Sequence, residues 1–131
     1  MIVLDTHVWV WWVSGAQPLP ARVKRLVEQH RKQATIRVSS ISVWEVAQLV
    51  KRGRLELTMD VADWVARSEA LPFLEFVPVD NRVALRSTQL PGSLHADPAD
   101  RIIVATTLAV GGTLVTKDNK LRRYRHVETL W

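Results

Sequence analysis

Asp5 ends the apolar run Ile2-Val3-Leu4 and is followed at once by Thr6, where a strand would hand over to a helix. Acids recur where later apolar runs begin or end: Glu45, Asp97, Asp100 and Asp118. Brought together, such carboxylates offer only hard oxygen donors, the ligand set of Mg²⁺ or Mn²⁺. A cation held there can acidify a water and stabilise charge on a phosphoryl oxygen, the chemistry of phosphodiester or phosphomonoester hydrolysis. The chain has no cysteine. That removes disulfides, thiolate metal sites and a cysteine nucleophile from consideration.

Each acid also has a purely structural explanation. Asp5 and Asp118 suit the N-cap of a following helix. Glu45 is the fourth residue of Ser42-Val43-Trp44-Glu45, which fits a capping box. Asp97 precedes Pro98, a common helix opening, and Asp100 then sits in the first turn, where the helix dipole favours a negative charge. Capping accounts for the acids one at a time. It does not account for an acid at the end of the first strand and another after the fourth. In a parallel sheet those ends face one side, and carboxylates crowded there repel until their pKa values rise or a cation binds.

The elements that must position these residues alternate. Strand-like segments at 2–5, 35–39, 74–79, 113–116 and 127–130 are separated by helical patterns at 7–13, 20–33, 42–51, 60–70, 80–89, 98–110 and 119–123. Gly15 with Pro18, Gly53 and Gly111-Gly112 close helices. This alternation predicts an α/β fold with a mainly parallel sheet covered by helices on both faces. Ligands in such sheets sit beyond the carboxyl ends of the strands. At 131 residues the chain is expected to form a single domain, 1–131, burying roughly two-thirds of its unfolded surface.

No apolar run approaches the ~20 residues of a membrane span. The N-terminus lacks a basic region and cleavage site, so a cytoplasmic protein without membrane association is expected. There are 18 Lys and Arg against 13 Asp and Glu, a net charge of +5. Setting the five named acids apart leaves 8 against 18, or +10 for the rest of the chain. A basic body around an acidic centre suits a polyanion held by a central cation. Solubility alone is the plain alternative.

Ile-Val-Leu-Asp-Thr-His-Val-Trp at the N-terminus, Ser-Val-Trp-Glu-Val-Ala around Glu45, His-Ala-Asp-Pro-Ala-Asp-Arg-Ile-Ile-Val-Ala-Thr at 95–106 and Leu-Val-Thr-Lys-Asp at 114–118 together resemble PIN-domain ribonucleases. The likeness is to the VapC-like toxins of type II toxin–antitoxin systems, and it runs in order over nearly the whole chain. It implies a PIN-like three-layer sandwich around a central five-stranded parallel sheet. It further implies Mg²⁺ or Mn²⁺, endonucleolytic RNA cleavage leaving 5′-phosphate and 3′-hydroxyl ends, translation arrest, a cognate antitoxin and a homodimer. By position, Asp5, Glu45, Asp100 and Asp118 match the family's acidic quartet, Asp97 is a further acid of this branch, and Thr6 and Thr116 match small hydroxyl positions beside the site.

Lys117, Lys120, Arg122, Arg123 and Arg125 form a basic stretch next to Asp118, and Arg101 follows Asp100. These are candidates for holding RNA backbone, against the alternative of a solvated face. His7 and His95 stand near the acids as candidate proton carriers, although a metal mechanism does not require them. Of six Trp, those at 9, 12, 44 and 64 are expected in the core or half-buried, with Trp11 the most exposed. An apolar groove for an antitoxin helix is the other use for them. Two rival functions remain. A metal-dependent phosphomonoesterase would share the carboxylates, but position 7 is His where a paired Asp-x-Asp would need an acid. A non-catalytic RNA- or protein-binding module would not need all of them.

Overall fold

The computed structural model describes residues 1–131. Five strands, β1 (Ile2–Leu4), β2 (Ile36–Ser39), β3 (Leu74–Val77), β4 (Thr113–Val115) and β5 (Thr129–Leu130), form one sheet in the order β3-β2-β1-β4-β5. Every pairing is parallel. Seven helices connect and cover them: α1 (Thr6–Ser14), α2 (Ala21–Gln33), α3 (Ser40–Lys51), α4 (Val61–Glu69), α5 (Asn81–Ser87), α6 (Pro98–Val110) and α7 (Asn119–Arg123).

Side chains alternate across a strand, so the short central strand feeds two cores. Ile2 and Leu4 enter one layer with Trp9 of α1, Val23 and Val27 of α2, Val46 of α3 and Trp64 of α4. Val3 enters the other with Val83 of α5, Ile103 and Val104 of α6, and Leu121 of α7. The result is the expected three-layer α/β sandwich, and burial on both faces explains why β1 is uniformly apolar.

The helix ends follow from local chemistry. Asp97 caps α6 by accepting from the Asp100 amide at 3.0 Å, with Pro98 at the first helical position. At the other end Gly111 takes a positive φ of 66° and Gly112 runs against Met1, just before β1. A Cβ on Gly112 would meet the Met1 carbonyl oxygen at 2.9 Å. This glycine pair lets the chain leave α6 and enter β4 beside the central strand.

Several boundaries differ from expectation, three of them by two residues at α3, β3 and β5. The capping box at Ser42 and Glu45 does not form. α3 begins two residues earlier, because Ser39 ends β2 and caps the helix by accepting from the Ile41 amide at 3.2 Å. Strand and helix therefore abut without a loop. The expected strands at 74–79 and 127–130 shorten to Leu74–Val77 and Thr129–Leu130. Val127 keeps its apolar burial outside the ladder.

Candidate active site

Sheet order places β1 between β2 and β4, so the connections diverge there and leave a crevice at the carboxyl ends. Leu4 pairs with Val38 and with Val115. The residues that follow these three, namely Asp5, Ser39 and Thr116, therefore emerge at one level. Asp5 caps α1, its Oδ1 accepting from the Thr6 amide at 2.8 Å, while its Oδ2 accepts from the Thr116 hydroxyl at 2.7 Å. The fully buried Thr116 Oγ1 in turn accepts from the Asp118 amide at 3.1 Å. One threonine thus couples the acid after β1 to the acid after β4. Asp118 caps α7 through Oδ1, which accepts from the Lys120 amide at 2.7 Å.

Across the crevice, Thr6 Oγ1 lies 2.6 Å from Glu45 Oε1 and 2.8 Å from Ser42 Oγ. A hydroxyl has one proton. With that proton directed at the carboxylate, Ser42 donates to Thr6 and the three residues form a chain from α3 to α1. His95 Nε2 stands 2.7 Å from Asp100 Oδ2 on α6. Asp5, Glu45, Asp97, Asp100 and Asp118 all line one open cavity of about 570 Å³, together with Thr6, His7, Trp11 and Lys117.

The electrostatics reflect this crowding. Burial pushes the Asp5 carboxyl up against the opposing hydrogen bonds from Thr116 and Thr6, and Asp118 adds to the rise. Burial also raises Glu45 to about 7, with the Thr6 hydrogen bond opposing and the charges of Asp5, Asp100 and Asp97 adding. Asp100 is raised by burial too, despite its bond to His95. Burial is the first cause of all three shifts, and neighbouring carboxylates add to each.

The donor set fits a hard divalent cation: five carboxylates, flanking hydroxyls and no sulfur. No three acids or imidazoles stand close enough to enclose an ion by themselves. Thr6, His95 and Thr116 each hydrogen-bond one carboxyl oxygen, of Glu45, Asp100 and Asp5 respectively. This is compatible with Mg²⁺, which keeps several waters and takes only one or two protein carboxylates directly.

Capping and convergence thus prove compatible for Asp5, Asp97 and Asp118, since each is an N-cap and each lines the cavity. Arg101 behaves differently from expectation. Its Nε donates to the Ser87 carbonyl and its Nη1 to the Leu94 carbonyl, both at 3.0 Å. It fastens the end of α5 and the 88–97 loop to α6. Lys117, Lys120, Arg122, Arg123 and Arg125 are exposed, and the Lys117 ammonium lies 5.7 Å from the Trp11 ring centre. His7 is exposed on the cavity. Trp11 is only partly exposed, whereas Trp44 is 54% exposed and the least buried tryptophan, reversing the expected order. Sequence reasoning does not single out Ser42 and Trp11 as site residues. Ser42 lies three residues before Glu45 and Trp11 four after His7, spacings that share a helix face, but a capping motif accounts for the first just as well.

The chain belongs to the PIN domain family, whose model matches residues 2–127. Over 132 residues it is 35% identical to "Ribonuclease VapC22" of Mycobacterium tuberculosis, with 99% of this chain and 98% of the relative covered. Its fold is similar to that in the crystal structure of VapBC2 from Rickettsia felis bound to a DNA fragment from their promoter. The TM-score is 0.72 at 20% identity, covering 99% of this chain and 98% of that one. A toxin-antitoxin complex from Klebsiella pneumoniae also shares the fold, with a TM-score of 0.62 at 19% identity over 100% and 97% of the two chains.

Proposed function

We propose that this protein is a ribonuclease toxin that cleaves RNA phosphodiester bonds internally and is neutralised by a protein antitoxin. The observation that carries the chemistry is the convergence of five carboxylates, three with raised pKa values, on one cavity at the switch point of the sheet. Family membership and the 35% identical ribonuclease support RNA as the substrate. Domain 1–131 acts as one PIN unit in this reading, working as a homodimer in the cytoplasm. No helix is long and apolar enough to cross a membrane.

Asp5, Glu45, Asp100 and Asp118, with Asp97 assisting, would hold Mg²⁺ or Mn²⁺. When bound, the cation supplies Lewis acidity toward phosphoryl oxygens and lowers the pKa of water. Thr116 and Thr6 fix the orientation of Asp5 and Glu45 through the hydrogen bonds described above. His95 fixes the orientation of the Asp100 carboxyl through its Nε2–Oδ2 hydrogen bond. Lys117, Lys120, Arg122, Arg123 and Arg125 bind flanking phosphates and draw the strand to an otherwise anionic cleft. For the antitoxin we assign the mainly apolar cavity of about 520 Å³ lined by Val10, Val13, Leu55, Leu57, Met59 and Trp64, which shares no lining residue with the acid pocket.

Incubation of antitoxin-free protein with total RNA tests this. Discrete cleavage is expected with Mg²⁺ or Mn²⁺ and none with EDTA or in Asp5→Asn. Thr116→Val, which removes only the orienting hydroxyl, is expected to cut activity about 10- to 100-fold. Hydrolysis of an aryl phosphate without RNA cleavage would replace the reading with a phosphomonoesterase. Metal-insensitive RNA binding without cleavage would replace it with a binding module.

A further inference from the structure

Trp44 is an indole 54% exposed in the single chain. Val43, Val46 and Val50 carry the packing of α3 against the core, and the other tryptophans pair with neighbouring rings while Trp44 pairs with none. One turn further along the same helix face stands Gln48, and Arg52 follows at the C-cap. All three line a second cavity of about 230 Å³, closed on its far side by Pro98 and Ala99 at the start of α6. Neither the Gln48 amide nor the Arg52 guanidinium has a partner among the side-chain hydrogen bonds and ion pairs of α3. Glu45 and Asp97 belong to both this cavity and the acid pocket, so the two are contiguous.

We propose that Trp44, Gln48 and Arg52 form a nucleobase subsite that seats one base of a single-stranded RNA beside the acid pocket. The inference rests on the ribonuclease reading and deepens it. An exposed indole face is a stacking platform for any base. The Gln48 amide both donates and accepts, which suits the edge of a base, and the Arg52 fork suits the phosphate that follows. A purely apolar partner would leave Gln48 and Arg52 desolvated and unpaired, an unfavourable outcome that a nucleotide avoids. Lys120 and Arg123 line a separate cavity with His95, which hydrogen-bonds Asp100 of the acid pocket, so cations that could hold a neighbouring phosphate also stand near the acids.

Binding of a fluorescein-labelled single-stranded RNA tests this in the Asp5→Asn background, where the strand stays intact. Adding Trp44→Ala is expected to weaken binding about 10- to 100-fold without changing its salt dependence, because stacking is uncharged. Trp44→Phe should restore most of the affinity. With an abasic nucleotide at the seated position, the Asp5→Asn protein should bind with or without Trp44→Ala to the same extent. Affinity for the intact RNA within about twofold of the parent would overturn the proposal. A loss that coincides with a change of mass in solution would overturn it in favour of a contact between copies of the chain. Cleavage of the same RNA by the unsubstituted protein with Mg²⁺ is scored separately. Its absence beside a Trp44-dependent affinity would remove the ribonuclease reading and leave the base subsite standing.

Discussion

At the scale of single residues, Glu45 shows the tension in the site most directly. Its carboxyl is raised to about 7, chiefly by burial, from an ordinary value of 4.5. A folded pKa above the unfolded one favours the protonated native state, so this stabilisation is complete below the unfolded value and is lost as pH rises through about 7. Asp5 and Asp100 shift the same way. The metal-free protein is therefore expected to melt at a lower temperature at about pH 8 than at about pH 5, with Mg²⁺ restoring part of the loss at the higher pH. Thermal melting in EDTA and in Mg²⁺ across that range checks this. A flat profile in EDTA would mean that the acids are better solvated in the folded protein than their burial indicates.

At the scale of elements, the site depends on how α6 is placed. Its N-terminus brings Asp97 and Asp100 to the cavity, and its C-terminus turns into β4 through Gly111 and Gly112. The Met1 carbonyl that a Gly112 side chain would strike is the same one that accepts from the Thr113 amide at 3.1 Å, opening the β1–β4 ladder. Gly112→Ala is expected to destabilise the fold by about 1–3 kcal/mol, measured by denaturant unfolding. Because Asp5 and Thr116 follow the two strands of that ladder, activity should fall with stability. Gly111→Asn, which tolerates the left-handed conformation, should be milder. The bounds of α6 and α7 were legible in the sequence, because Asp97-Pro98, Gly111 and Asp118 are local signals. The start of α3 was not: Ser39, Ser40 and Ser42 all offer capping hydroxyls, and only the end of β2 selects among them.

At the scale of the molecule, a basic body surrounds an anionic cleft. Arg122 and Arg123 are exposed on α7, next to Asp118 at its N-cap. The double substitution Arg122→Ala/Arg123→Ala is expected to weaken RNA binding at low salt. It should also flatten the slope of log affinity against log salt by about 1.4, the value for two lost contacts to single-stranded phosphates. Titrations at several salt concentrations would show it. An unchanged slope would make this face a solvated surface, the plain alternative that its composition allowed.

What the sequence by itself determined are the properties carried by neighbours along the chain. These are the alternation of elements, the caps, the all-oxygen character of the candidate ligands and the family motifs. The tertiary structure decided which of these residues meet. Thr116 reaches Asp5 across 111 positions and Thr6 reaches Ser42 across 36, contacts that exist because β4 and β2 flank β1. The capture of Arg101 by the carbonyls of Ser87 and Leu94 and the exposure of Trp44 were decided the same way. A helical pattern specifies that a residue lies on a face. Only the packing of that face against a particular neighbour determines whether its side chain is buried, bonded or left for a ligand.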